Sequence, residues 1–186
     1  FPAAVTQKYC SEIEKNVKNM LGSVGIQNGM MFMQCKVENG KCVVYDIGYR
    51  LTGSLEYKLL KEVCGYDPME MMIRFALTGH MEKDSIADRI NPRLGKYAFN
   101  VSVLTKPGRI GKISGIEDIL KLPQVIDAGL AHYPGEEITD TMKGLWAQIS
   151  LRVLGGSDSV ETMQKTMLEI QKLIHIESDK GENMIL

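Results

Sequence analysis

Apolar positions recur along this chain with two periods, and the switches between them lay out its elements. From Thr6 to Leu21, Tyr9, Ile13, Val17 and Met20-Leu21 fall at helical spacing, and Gly22-Ser23-Val24-Gly25 stops the run. The period then drops to two. Met31, Met33, Cys35 and Val37 alternate with Phe32, Gln34 and Lys36; beyond Glu38-Asn39-Gly40, Val43, Tyr45 and Ile47 alternate with Cys42, Val44 and Asp46. Asn-Gly between two such runs predicts a hairpin. A tight turn at Asn39-Gly40 would pair Val37 with Cys42, setting the apolar face of one strand against the polar face of the other. A longer loop, Glu38 to Gly40 with Gly40 left-handed, pairs Val37 with Lys41 and gathers the odd residues on one face. The pattern favours the longer loop. It puts Gln34 and Asp46 on a common face, with Phe32 opposite Asp46.

Helical spacing returns at Ser54 to Val63, where Leu55, Leu59, Leu60 and Val63 form a stripe, Ser54 is the expected N-cap and Gly65 the stop. Asp67-Pro68 opens another helix, Asp67 capping, which runs through Met69, Met71-Met72, Phe75 and Ala76-Leu77 to Gly79. Met81 to Lys96, with Asp84, Asp88, Arg89, Pro92 and Arg93, reads as a loop with one helical turn. A second unit starts at Tyr97. Strands are expected over Tyr97 to Thr105, Arg109 to Ile113, Val125 to His132 and Trp146 to Leu154, the last ended by Gly155-Gly156. A short helix is expected at Ser114 to Leu122 and a long one at Ser157 to Ile174, with Val160, Met163, Met167, Ile170 and Leu173-Ile174 as its stripe. The tail from Glu177 reads as frayed. The result is an α+β fold: one unit over residues 1–96, a smaller one over 97–176, and a tail, 177–186.

Composition narrows the class. The chain has 186 residues, 44% hydrophobic and 24% charged, with a net charge of −1. That is globular, with no electrostatic case for nucleic acid or an anionic membrane, and no apolar run of membrane-spanning length. Cys10, Cys35, Cys42 and Cys64 lack metal-type spacing, and in the favoured register Cys35 and Cys42 lie on opposite faces. Reduced thiols in a cytoplasmic protein are the expectation. The 12 methionines sit mostly at apolar-periodic positions and read as core filler. Lys8, Lys15 and Lys18 read as a solvated face, His80 as a surface residue and His132 as a partly buried structural histidine. The first residue is Phe1, which reads as an excised fragment or a processed start.

Candidate chemistry collects at the hairpin. Gln34 and Asp46 offer side-chain oxygens on one face; Arg50 follows, then Thr52-Gly53-Ser54 at a helix start. A cation near two oxygens, an arginine and a helix N-terminus are the parts with which proteins handle phosphate. Spacing alone favours a plainer reading, an amphipathic hairpin whose Gln34, Asp46 and Arg50 are solvated.

The run from Gly29 to Gly79 resembles the C-terminal lobe of the ATP-grasp ligases, a superfamily that includes biotin carboxylase, the carbamoyl-phosphate synthase large chain and the L-amino acid ligases. Gln34 matches the family's acidic magnesium ligand on the first strand. Asp46-Ile47-Gly48-Tyr49-Arg50 matches its Glu-x-Asn-x-Arg pattern, Gly53-Ser54 its small-residue turn, and Gly65-Tyr66-Asp67 its Gly-x-Asp after the helix. The resemblance implies Arg50 as the catalytic arginine holding a reacting phosphate or carboxylate, Gly53 and Ser54 as phosphate-binding backbone, and Asp46 with Gln34 facing Mg2+. Three departures bear on the metal: Gln34 replaces a glutamate, Asp46 is one methylene shorter than the usual glutamate, and Gly48 has no side chain where the family offers asparagine. The second unit is similar to the small terminal domain of L-amino acid ligases over about Val103 to Ile174. Gly108-Arg109-Ile110, Gly115-Ile116-Glu117, Leu122-Pro123 and Pro134-Gly135-Glu136-Glu137 carry that likeness; each motif is turn-like and also fits a plain connection.

The resemblance therefore implies an ATP-grasp C-terminal lobe, an antiparallel sheet with helices, followed by a small α+β terminal domain. It implies a ligase fragment that acts through an acyl phosphate and is inactive alone. No glycine-rich phosphate loop precedes Gly22, so ATP and a carboxylate substrate would come through N-terminal lobes that are missing here. A non-catalytic binding, regulatory or assembly module stays open as the alternative, and so does a homodimer.

Overall fold

The alternation of periods becomes an α+β fold in which every pair of named strands is antiparallel. The computed structural model describes residues 1–81, 90–91 and 93–186, in two units, Phe1–Gly95 and Lys96–Leu186. The expected loop residues Asp84, Asp88, Arg89 and Pro92 lie outside the described residues.

In the first unit the expected N-terminal helix is two: α1, Thr6–Glu12, and α2, Glu14–Ser23, broken at Ile13. The hairpin follows as β1, Phe32–Glu38, and β2, Lys41–Gly48. A two-stranded ribbon leaves outward amides on both edges. One is satisfied from α1: the Cys42 amide donates to Glu12 Oε2 at 2.8 Å, while Lys8 holds Glu12 Oε1 at 2.6 Å. The Cys42 amide first, and Lys8 after it, keep the Glu12 carboxyl below the usual range.

Then come α3, Glu56–Cys64, and α4, Pro68–Thr78, each closed by a left-handed glycine, Gly65 and Gly79. Leu59 of α3 and Met71 of α4 are buried. Asp67 caps α4 as the sequence predicts: its Oδ1 accepts from Met69 N at 3.0 Å and Glu70 N at 3.2 Å, and Lys61 Nζ lies 3.0 Å from Oδ2. The hydrogen bond from Lys61 is the largest influence holding its carboxyl below the usual range. A depressed carboxylate pKa means stability that is present above the unfolded value of about 3.9 and lost as pH falls through the folded one. Asp67→Ala should therefore cost about 1 kcal/mol at neutral pH. Urea titrations at stepped pH should show the gap to wild type closing in acid; a constant gap would refute the assignment.

The second unit holds most of the fully buried side chains. It contains β3 (Tyr97–Leu104), β4 (Gly108–Ser114), α5 (Ile116–Ile119), β5 (Val125–Leu130), β6 (Glu137–Ile138), β7 (Ile149–Ser157), α6 (Val160–Leu173) and β8 (His175–Ser178). One sheet runs β3-β7-β5 and another β6-β4-β8. Ile110, Ile119, Leu151, Val153, Ile170 and Ile176 are fully buried among these elements. Burying each such side chain stabilises by roughly 1.5–3 kcal/mol. Ser159 caps α6, accepting from Thr162 N at 3.1 Å.

Three expectations are corrected here. Trp146–Gln148 is a 3-10 turn, with Trp146 82% exposed, and β7 begins only at Ile149. Gly155 and Gly156 do not end that strand. They pair with Phe99 and Ala98, and the Phe99 ring crosses Gly155 so closely that a methyl there would lie 2.1 Å from it. The tail is not frayed. β8 pairs with β4, Thr105 bridges to Ile185, and Met184 is buried in the apolar core while its backbone bonds both Lys106 and Ile176.

Candidate functional site

The hairpin adopts the register that its alternation argued against. Asn39 (φ 48°) and Gly40 (φ 73°) form the tight turn, so Glu38 pairs with Lys41 and Val37 with Cys42. Positive φ at both central residues matches the twist of the strands, and Asn-Gly supplies it at least cost. The mismatch of faces is repaired farther along. Cys35 pairs with Val44 but Gln34 with Asp46, so Tyr45 is the extra residue of a β-bulge. Before the bulge, Cys42 and Val44 face inward with Cys35, and Val43 stays exposed. Tyr45, in the bulge itself, is exposed as well. Beyond it the faces return to the expected assignment.

Gln34 and Asp46 therefore do share a face, as direct partners, and both are exposed. Asp46 is opposite Gln34, not Phe32; Phe32 faces Gly48. A methyl group on Gly48 would lie 2.1 Å from Phe32 Cε1 and 2.6 Å from Cζ, so the ring occupies the space above that glycine. The Arg50 guanidinium lies over the same ring, 4.7 Å from its centroid. Its Nη1 donates to the Leu51 carbonyl at 2.9 Å, and among the described residues it has no ion-pair partner.

The loop after Arg50 differs from expectation. Ser54 is not the N-cap. Leu55 holds that position in a left-handed conformation (φ 67°), and α3 starts at Glu56, so Gly53 and Ser54 lie in the loop ahead of the first turn. The Thr52 hydroxyl donates to the Glu56 carboxylate.

Magnesium asks for near-octahedral, hard and preferably charged oxygens. Among positions 34, 46 and 48 only Asp46 supplies a charge, and the Phe32 ring fills the direction in which residue 48 would offer a ligand. Among the described residues no group of three or more His, Cys, Asp or Glu is placed to hold a metal. This donor set does not fit a divalent cation.

The other chemical residues are structural. Cys35 and Cys42, expected on opposite faces, share one because the register is tighter by one residue; all four cysteines are free. Burial first, and the Cys42 thiol after it, push the Cys35 thiol up, which keeps it protonated and unreactive. His132 is held at both ring nitrogens, Nδ1 2.8 Å from Glu136 Oε2 and Nε2 2.7 Å from the Ala147 carbonyl. That arrangement fixes the turn before β6 and leaves no nitrogen for catalysis. Phe32 is the site residue that periodicity missed. The available signal was Gly48 itself, since a glycine inside a strand marks a close approach.

No protein-family model and no curated protein sequence matches the chain. Solved structures do. The chain is similar to the L-amino acid ligase of Bacillus licheniformis at 20% identity and a TM-score of 0.76, over 96% of this chain and 43% of that one. It is similar to the phosphoribosylglycinamide synthetase of Anaerococcus prevotii at 11% identity and a TM-score of 0.73, over 96% and 44%. It is also similar to the biotin carboxylase domain of the Hydrogenobacter thermophilus 2-oxoglutarate carboxylase, solved with MgADP and bicarbonate: 13% identity, a TM-score of 0.64, over 91% and 35%. The chain thus spans less than half the length of each of these structures. Over that part of their length, its fold is the fold of the ATP-grasp enzymes.

Proposed function

We propose that this chain is part of an ATP-dependent carboxylate–amine ligase. In that reaction the terminal phosphoryl group of ATP passes to a substrate carboxylate, giving ADP and an acyl phosphate. An amine then attacks the acyl carbon, phosphate leaves, and an amide bond forms. The observation that carries the reading is Arg50: a guanidinium stacked on Phe32 beside the Gln34–Asp46 pair, with no ion-pair partner among the described residues, in a fold shared with ATP-grasp enzymes. A fixed cation there would neutralise charge on the transferred phosphoryl group or hold the carboxylate. Gly53 and Ser54 would add backbone N–H donors from the loop.

The surface supports incompleteness. Met69, Ile73 and Leu77 form an exposed apolar stripe along α4, with Leu77 79% exposed. Stripes of this kind mark interaction surfaces, and the nucleotide-binding remainder of a ligase would supply the cover. No helix of the described residues is long and apolar enough to cross a membrane, and a cytoplasmic setting would keep the four free thiols reduced.

Residues 1–186 alone should show no ATP hydrolysis. An assembly that includes the nucleotide lobe should release ADP only when both an acid and an amine are supplied. ADP release by the isolated chain would refute the reading. One observation favours a second reading, a non-catalytic ATP-grasp-derived module: the hairpin's donor set does not fit magnesium. Calorimetry separates the two. Nucleotide binding by the assembly together with turnover supports the ligase, and nucleotide binding without turnover supports the module.

A further inference from the structure

We propose that this hairpin works without a divalent cation, and that Phe32, seated on Gly48, positions the Arg50 guanidinium to act in the cation's stead. Four observations combine. First, Asp46 is the single charged side chain among positions 34, 46 and 48, and the Arg50 guanidinium on Phe32 brings a positive charge to the same end of the hairpin. Second, Gln34 offers a neutral oxygen, a weak ligand for a hard cation. Third, residue 48 cannot contribute a ligand while Phe32 is present. Even a Cβ would lie 2.1 Å from the ring, and the strand keeps a glycine whose only evident gain is that contact. Fourth, the displaced ligand space holds a platform. The guanidinium 4.7 Å from the ring centroid is within cation–π range, which limits its swing without using its donors.

Guanidinium has five N–H donors in a planar fork, and the Leu51 carbonyl takes one bond from Nη1. Among the described residues nothing takes the rest, which suit an oxyanion, a phosphoryl or carboxylate group, in the bidentate geometry that arginine favours. Phe32 is thus a positioning residue, acting through Arg50. The absence of a cation rests on the donor set alone; only the oxyanion ligand rests on the ligase reading.

The test is NMR spectroscopy of the full chain with manganese(II) as a paramagnetic probe. The amides of Gln34, Asp46 and Gly48 should lose no more intensity than those of other exposed residues. The Arg50 Nε–H resonance should carry a ring-current shift that disappears in Phe32→Leu and returns in Phe32→Tyr, with the other hairpin amides unmoved. If Phe32→Leu unfolds the hairpin, Gly48→Ala tests the same point, because its methyl pushes the ring and its guanidinium aside. The triple variant Phe32→Val, Gln34→Glu, Gly48→Asn should gain selective manganese broadening at these positions.

Selective broadening in wild type that Asp46→Asn abolishes would overturn the proposal. So would an Arg50 signal indifferent to loss of the ring, or a triple variant that still ignores manganese. Manganese binding by wild type would leave the ligase reading standing, whereas an inactive assembly would end that reading and leave this one.

Discussion

Arg50→Ala, in an assembly carrying the nucleotide lobe, should lower kcat by roughly two to three orders of magnitude, the usual loss when a group stabilising transition-state charge is removed. The fold should hardly notice. Arg50 is exposed, among the described residues bonds only the neighbouring Leu51 carbonyl, and rests on Phe32, and an exposed cation–π contact contributes about 0.5–1 kcal/mol. Arg50→Lys should recover part of the rate, because lysine restores the charge but neither the fork nor the stack. Steady-state kinetics beside thermal melts make the distinction. A fall in kcat with an unchanged melt supports the role; unchanged kinetics in Arg50→Ala would remove the arginine from the chemistry and favour the binding module.

Gly115→Ala should be the most damaging single methyl in the second unit. Gly115 has φ +93°, and an added Cβ would lie 1.8 Å from the Leu173 carbonyl oxygen and 2.7 Å from its carbon. Both atoms are backbone at the end of α6, so no side chain can turn aside. Overpacking costs about 1–3 kcal/mol and a left-handed non-glycine residue roughly 1–2 more. A loss of about 3 kcal/mol or more is expected, against a total of roughly 5–15 for a typical domain. Gly181→Ala is the control. Its φ of +80° carries the backbone strain, but nothing lies within 4 Å of the new methyl, so about 1–2 kcal/mol should be lost. Urea unfolding followed by circular dichroism is the suitable readout, since the lone tryptophan, Trp146, is 82% exposed and reports little about the core. Equal losses in the two variants would show that the α5–α6 junction yields more easily than its geometry indicates.

The hairpin shows how a correct placement can follow from a wrong register. Alternation put Gln34 and Asp46 on one face by assuming a longer loop. The chain instead takes the tight Asn39-Gly40 turn and inserts Tyr45 as a bulge, which restores the face beyond it. Local turn chemistry won at the tip because Asn-Gly in the left-handed region is cheap. At the base the bulge at Tyr45 sets Ile47 opposite Met33 and Asp46 opposite Gln34, so the faces match there again. Sequence gives no place for a bulge that serves only to reconcile the two. The pairing of Phe32 with Gly48 follows from that bulge and was hidden with it.

Elsewhere the division is similar. Periodicity and local chemistry were enough for the α+β class, for α4 with its Asp67 cap and Gly79 stop, and for most strands of the second unit, because each depends on residues within a turn or two of one another. Long-range contacts decided the rest. The tail from Glu177 reads as polar and loose, yet its first residues complete the edge strand β8 against β4, and Asn183 and Ile185 bridge back to Glu177 and Thr105. Gly155 reads as a stop, yet it is a gap for the Phe99 ring. Arg50 was named from its spacing to Asp46, but the surface it lies on and the ligand space closed beneath it are set by an aromatic ring from the opposite strand. Spacing along one strand carries no information about which side chain fills the partner position; only the register across strands fixes that.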